Sequence, residues 1–234
     1  MSQVTDPLPA GAPDALGFCP TRLLRLDSYL NSACAGALVP GAAVLVARHG
    51  QIACQVLAGR RDIEADLPMQ ADTICRIASM SKPITSVAIM MLLEQGRLQL
   101  EDPIATYIPE FAAPRVLARG GGTVAAEGAI SIRHLLTHTS GLCYGLPDPR
   151  LRAVAASTGL LDGAATMTTG ELVRGIGALP LLHQPGERWT YGTNMDVLGY
   201  LVELLSGMRF DEFLQQQIFT PLGMRDTGFL VPRD

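Results

Sequence analysis

Residues 78–96 read ASMSKPITSVAIMMLLEQG and contain Ser79-Met80-Ser81-Lys82, a serine and a lysine three positions apart at the start of a helix. Pro83 fits the first helical turn, where its missing N–H would have had no partner, and Gly96 is a suitable stop. Ile84, Val87, Ala88, Met91 and Leu92 follow the three-and-four spacing of a buried stripe. Positions i and i+3 share a helix face, so the Lys82 amine can lie beside the Ser79 hydroxyl. Acyl transfer needs the serine as an alkoxide, and a neutral amine at its side can take the proton. A helix N-terminus also presents a backbone N–H to a developing oxyanion. Ser81, at i−1, points away from Lys82, and Ser86 lies deeper in the stripe, so Ser79 is the candidate nucleophile.

Lys82 is also the only lysine; every other one of the 18 basic residues is arginine. A chain that uses arginine wherever a surface charge suffices keeps a lysine for a task arginine cannot perform. Losing a proton is such a task.

Outward from this helix, the chain reads as an ordinary globular sequence. It has 234 residues, 48% apolar and only 17% charged, against about 25% charged in an average protein. The net charge of −4 advertises no basic surface, so no nucleic-acid partner is expected. The longest apolar run, Val87 to Leu93, falls far short of the ~20 residues that span a bilayer, so no membrane partner is expected. Five cysteines, an odd number without a C-x-x-C pair, read as free thiols in a reducing compartment. With no basic, apolar leader at the N-terminus, the expected location is cytoplasmic.

Residues 1–20 are rich in Pro, Ala and Gly and read as a loose arm, with the domain proper from 21 to 234. An amphipathic helix from Thr21 carries Leu23, Leu26 and Leu30 on one face. Two β-branched stretches over 42–58 flank His49-Gly50 as a hairpin. Residues 112–130, with Gly120-Gly121-Gly122, read as a flexible loop, and Ser131 as the cap of a short helix. Residues 145–170 read as a lid or insertion. Helices follow near Glu171–Ile176, Asn194–Ser206 and Asp211–Phe219.

A second chemical candidate is Tyr191, in the turn-rich run PGERWTYGTN before a helix. A phenol beside a lysine ammonium ionises more easily and can share the base role. His134 and His138 stand at i and i+4, a zinc-compatible spacing, but no third ligand accompanies them and no metal is expected.

Taken together, ASMSKPITSVAIMMLLEQGRLQLEDPI (78–104), IRHLLTHTSGL (132–142), PGERWTYGTNMDVLGYLVELLSG (185–207) and IFTPLGMRDTGF (218–229) resemble the serine β-lactamase-like superfamily. Within it they are most similar to the family VIII carboxylesterases, relatives of class C β-lactamases. The resemblance implies an α/β fold of α+β type, an antiparallel sheet flanked by helices with a helical subdomain. It also implies Ser79 as acyl-forming nucleophile and Lys82, helped by Tyr191, as proton acceptor. Tyr144 and Thr193 are implied as substrate-binding residues, a small ester or lactam is the implied substrate, and no cofactor is implied. The remaining alternatives are a β-lactamase, a DD-peptidase or an acyltransferase of the same fold, an inactive truncated fragment, or a half completed by a partner.

Two departures from the family pattern stand out. The Tyr-x-Asn motif of the lactamases is displaced: Thr193 stands two residues after Tyr191, and Asn194 comes one place late. The Lys-Thr-Gly motif is absent, since Lys82 is the only lysine. In the family that motif lies on a later sheet strand, so the chain is expected to be an N-terminal portion with an incomplete sheet. The expected consequences are self-association through an open strand edge and impaired catalysis, because one oxyanion donor is worth about 10²–10³ in rate.

Overall fold

The computed structural model describes residues 8–160 and 166–230. The chain divides after Arg76 into two units, 1–76 and 77–234, where a single domain from residue 21 was expected.

In the first unit, α1 (Pro20–Ala35) starts with proline at its first position and turns Leu26, Leu30 and Cys34, four residues apart, onto a hairpin. That hairpin is β1 (Gly41–Arg48) and β2 (Gln51–Asp62), antiparallel as read, and a two-residue strand β3 (Leu67–Pro68) extends it on the β2 side. His49 and Gly50 both take positive φ, 52° and 72°, as a two-residue hairpin turn requires. Leu30, Val56 and Ala58 form the buried centre. Among the described residues β1 pairs only with β2.

The described part of the expected loose arm is not loose. The Gly11 N–H donates to the Ile52 carbonyl at 2.9 Å, and the Ile52 N–H to the Pro9 carbonyl at 2.8 Å. Leu16 is buried, and Arg48 donates to its carbonyl at 3.2 Å. The free backbone groups on the outer side of β2 offer hydrogen bonds to any adjacent chain, and Leu16 adds an apolar anchor. Residues 1–7 lie outside the described residues.

The second unit opens with a 3₁₀ turn, Ala78–Met80, that runs straight into α2 (Ser81–Glu94). A short hairpin follows, β4 (Arg115–Leu117) and β5 (Thr123–Ala125), in the segment expected to be a flexible loop. Gly121 and Gly122 supply positive φ at its turn, and Arg150 clamps that turn by donating to the carbonyls of Ala118 and Gly122 at 3.0 and 2.9 Å. Leu181 bonds the other side of β4. Glycines there serve turn geometry, not mobility.

Next come α3 (Ile132–Leu136), capped by Ser131, and α4 (Pro149–Ser157), capped by Asp148. Leu151 and Ala155 of α4 are fully buried, so this part of the expected lid belongs to the core; residues 161–165 of it lie outside the described residues. Then α5 (Thr169–Gly177) opens on a Thr168–Glu171 capping box. The helix α6 (Asn194–Ser206) has the bounds read from sequence and stops at Gly207, φ 72°. Last, α7 (Phe210–Leu214) widens into a π turn over Gln215–Phe219.

The core of this unit gathers around α6, whose Val197, Leu198, Leu201 and Val202 are fully buried and which touches α2, α3, α5 and α7. The buried face of α2 is Thr85, Ala88, Ile89 and Leu92, rotated from the expected stripe, with Val87 exposed. This helix is apolar almost all round, so periodicity alone could not select the face.

Candidate active site

Ser79 sits at the centre of the 3₁₀ turn, not inside α2. In such a turn, residues i and i+3 eclipse one another, which strengthens the juxtaposition expected from an α-helix. Lys82 Nζ accordingly donates to Ser79 Oγ at 3.3 Å. Ala78, the preceding residue, takes φ +43°, a left-handed conformation that costs a residue with a Cβ on the order of 1–3 kcal/mol. Strain of this kind aims the next side chain, and Ser79 is exposed. Among the described residues the Ser79 N–H has no hydrogen-bond partner.

Tyr191 arrives from 112 residues away, its phenol hydrogen-bonded to Ser79 Oγ. Its ring also receives Lys82, with Nζ 4.7 Å from the centroid. Hydrogen bonds from Lys82 and Ser79, then the Lys82 charge, hold the Tyr191 phenol below the usual tyrosine range. The turn that carries Tyr191 is pinned to the segment after α3. The Thr190 N–H donates to the His138 carbonyl at 2.8 Å, and the Tyr144 N–H to the Tyr191 carbonyl at 3.4 Å. Two glycines permit this approach. A Cβ on Gly192 would come within 2.6 Å of Cys143 Cα, and one on Gly141, at φ 92°, within 2.6 Å of the His183 carbonyl oxygen.

Tyr144 stands beside Tyr191, its ring centroid 5.7 Å from Lys82 Nζ and 5.4 Å from the Tyr191 centroid. Its hydroxyl donates to Asp196 Oδ2 at 3.4 Å. Burial, reinforced by the Asp196 charge, pushes the Tyr144 phenol up to about 12. The two tyrosines are therefore driven apart, one toward phenolate and the other held protonated, the kind of split that assigns acid–base roles. Burial also raises the Asp196 carboxyl, which Tyr144 and Lys82 partly offset. Sequence reasoning missed Asp196; its one signal was an acidic residue in the first turn of the helix after Tyr191. Trp189, mostly exposed, stacks on Tyr191 at 6.0 Å and 24°.

Thr193, expected to bind substrate, does not present its hydroxyl to solvent, and that hydroxyl has no hydrogen-bond partner among the described residues. Asn194 is wholly buried, donating to His138 Nδ1 at 2.8 Å and accepting from Ser140. One step along a helix turns a side chain by about 100°. An asparagine one place late therefore faces the interior.

His134 is engaged in the cap of α3, its Nδ1 accepting from the Ser131 N–H at 3.3 Å. Among the described residues no group of three His, Cys, Asp or Glu side chains is placed to hold a metal ion, and no helix is long and apolar enough to cross a membrane. The five cysteines are free thiols, and burial pushes that of Cys143 up.

Known proteins share this arrangement of sequence and fold. The model of the family described as Beta-lactamase matches residues 30–234. The chain is 38% identical over 208 residues to Esterase EstB of Burkholderia gladioli, covering 88% of this chain and 52% of that protein. It is 32% identical over 219 residues to the monacolin J acid methylbutanoyltransferase of Aspergillus terreus, covering 88% of this chain and 52% of the other. Among solved structures it resembles EstCE1, described as a hydrolase with promiscuous acyltransferase activity. That match has TM-score 0.76 and 32% identity over 90% of this chain and 54% of that one. The chain spans about half the length of the curated relatives it matches.

Proposed function

The chain belongs to the beta-lactamase family, and from that premise we propose that it serves serine acyl transfer on carboxylic esters, with Ser79 as nucleophile. The observation that supports this is the convergence of Lys82 Nζ and the Tyr191 phenol on one exposed serine oxygen. Because Lys82 donates to Ser79 Oγ, the serine proton is directed to Tyr191. As phenolate, Tyr191 takes that proton while Oγ bonds to the ester carbonyl carbon. Lys82 stabilises the phenolate, and the Ser79 N–H meets the carbonyl oxygen as it gains charge. The leaving alkoxide then takes the proton back from Tyr191, leaving acyl-Ser79. Water, attacking with Tyr191 again as base, releases the acid and restores the serine.

The burial of Asn194 favours esters over lactams in this reading, since its amide is engaged by His138 and Ser140 and does not face an incoming side-chain carbonyl. EstCE1, by its description, joins hydrolysis with acyl transfer; an alcohol replacing water in the second step would give the same pairing here.

A fluorophosphonate probe tests the nucleophile without requiring turnover. The intact chain is expected to gain one adduct by mass, on Ser79, and Ser79→Ala to gain none. An unlabelled wild type, or a labelled Ser79→Ala, overturns the reading. Hydrolysis of p-nitrophenyl butyrate then measures how much of the cycle the chain completes.

Tyr191→Phe is expected to slow labelling by about 10²–10⁴-fold. It should also change the pH profile. With the phenol held below its usual value, the wild-type rate rises with pH and levels off short of about 10, the ordinary tyrosine value. The phenylalanine variant lacks that rise. A profile unchanged by the substitution would remove Tyr191 from the base role.

A further inference from the structure

Next to Ser79, Lys82 and Tyr191 lies a second group of polar side chains that the proposed chemistry does not use. His138, Ser140 and Asn194 are buried, with relative exposures of 8%, 0% and 0%. Their hydrogen bonds run in one direction. The Leu142 N–H donates to Ser140 Oγ at 3.1 Å, and the Ser140 hydroxyl donates in turn to Asn194 Oδ1. The Asn194 nitrogen therefore faces the His138 ring and donates to Nδ1 at 2.8 Å. An amide NH₂ group cannot accept a hydrogen bond. Nδ1 must be bare, and the ring proton must sit on Nε2.

The ring held this way packs against Tyr191, with centroids 5.1 Å apart and planes tilted by 34°. Trp189 touches the same ring at 6.2 Å. The main chain ties the two segments as well, through the Thr190 N–H and the His138 carbonyl. His138 itself takes φ +56°, a left-handed conformation uncommon for a residue with a Cβ that persists where the surroundings over-determine it.

We infer that His138, kept neutral with its proton on Nε2 by Asn194, is a positioning residue that holds Tyr191 against Ser79, and that a proton on Nδ1 releases this hold. The inference deepens the serine acyl-transfer reading and rests on it for its catalytic consequence. The titratable groups facing the ring are Lys82 from α2 and Tyr191 from the turn before α6. Burial, then the Lys82 charge, holds the imidazole below its ordinary value. The hold is thus complete at and above the ordinary histidine value and is lost as pH falls through the depressed one. There an Nδ1–H would oppose the Asn194 N–H.

The test uses the whole chain and two readouts that need no catalysis. Long-range proton–nitrogen NMR of the imidazoles, with His138→Gln to assign the signal, reports the tautomer and the titration. His138 is expected to show a bare Nδ1 and to titrate below about 6.5. Ultraviolet absorbance, with Tyr191→Phe as blank, reports the Tyr191 phenol. Asn194→Asp places an acceptor opposite Nδ1 and draws a proton onto the ring. It is expected to raise the His138 titration and return the Tyr191 phenol toward its ordinary value. It should also slow fluorophosphonate labelling of Ser79 by about tenfold or more, as a misplacement near 1 Å can cost about 10²-fold. Circular dichroism checks that the variant is folded.

Where Asn194→Asp does not fold, His138→Gln decides. Its carbonyl can accept from Asn194 but cannot titrate, so Tyr191 should keep its low titration while losing the acid-pH dependence of its ultraviolet absorbance that protonation of His138 is expected to cause in the wild type. A dependence unchanged in His138→Gln overturns the inference. A proton found on Nδ1, or a Tyr191 titration indifferent to a folded Asn194→Asp, also overturns it, whether or not Ser79 is labelled. A wild type that is not labelled, but whose Tyr191 responds to Asn194→Asp, overturns the acyl-transfer reading and supports the hold on Tyr191.

Discussion

Lys82→Arg is expected to slow fluorophosphonate labelling of Ser79 by about 10²-fold, because the charge that steadies the Tyr191 phenolate and orients Ser79 Oγ is misplaced. The substitution keeps the positive charge and most of the apolar stem. What it changes is the head group, since a guanidinium cannot present a single ammonium N–H to Ser79 Oγ at the same point. It also replaces a compact ammonium by a planar fork that cannot sit between two rings and a hydroxyl in the same way. Lys82 Nζ lies 3.3 Å from Ser79 Oγ, 4.7 Å from the Tyr191 ring centroid and 5.7 Å from that of Tyr144. All three relations depend on a small charge at one point. A melting curve near that of wild type checks that the variant is folded before its labelling rate is read. Labelling at a near wild-type rate would reduce Lys82 to a general source of positive charge.

Leu201→Ala is expected to cost about 2–5 kcal/mol, the range for emptying a leucine-sized space in a core, and to lower the melting temperature by about 5–15 °C. Leu201 is fully buried in α6, the helix that touches α2, α3, α5 and α7. No single neighbour can close the space without dragging another layer. Leu204 on the same helix is 44% exposed, so Leu204→Ala is the control and should shift stability within about 0.5 kcal/mol. The effect reaches the site because α6 carries Asn194 and Asp196 in its first turn. Thermal denaturation followed by circular dichroism measures both variants; equal shifts would mean that α6 is not the centre of this unit's packing.

The elements most legible in the sequence were those written in local spacing. The bounds of α6 could be read because Asn194 begins an apolar periodicity that Gly207 ends, and a glycine at positive φ is a local stop. The hairpin around His49-Gly50 was legible for the same reason. Misreadings arose where one residue type serves two ends. Gly120-Gly121-Gly122 suggests mobility as readily as a tight turn, and only the clamp of Arg150 from α4 separates the two. The proline-rich start looked unattached because nothing nearby in sequence shows that β2 has backbone groups left to bind it.

At the site the same boundary holds. Ser79 and Lys82 are neighbours because three residues of a tight helical turn bring them together, and that relation is present in the sequence alone, as is membership of a family whose motifs occur in order. Only the tertiary structure decided that Tyr191 meets Ser79 across 112 residues, that Tyr144, bonded to Asp196, joins Tyr191 beside Lys82, and that Asn194 and the Thr193 hydroxyl face inward. The reason is geometric. Backbone sterics determine what lies within one turn, whereas the rotation of α6 about its axis and the turn that precedes it are set by the side chains packed against them from distant parts of the chain.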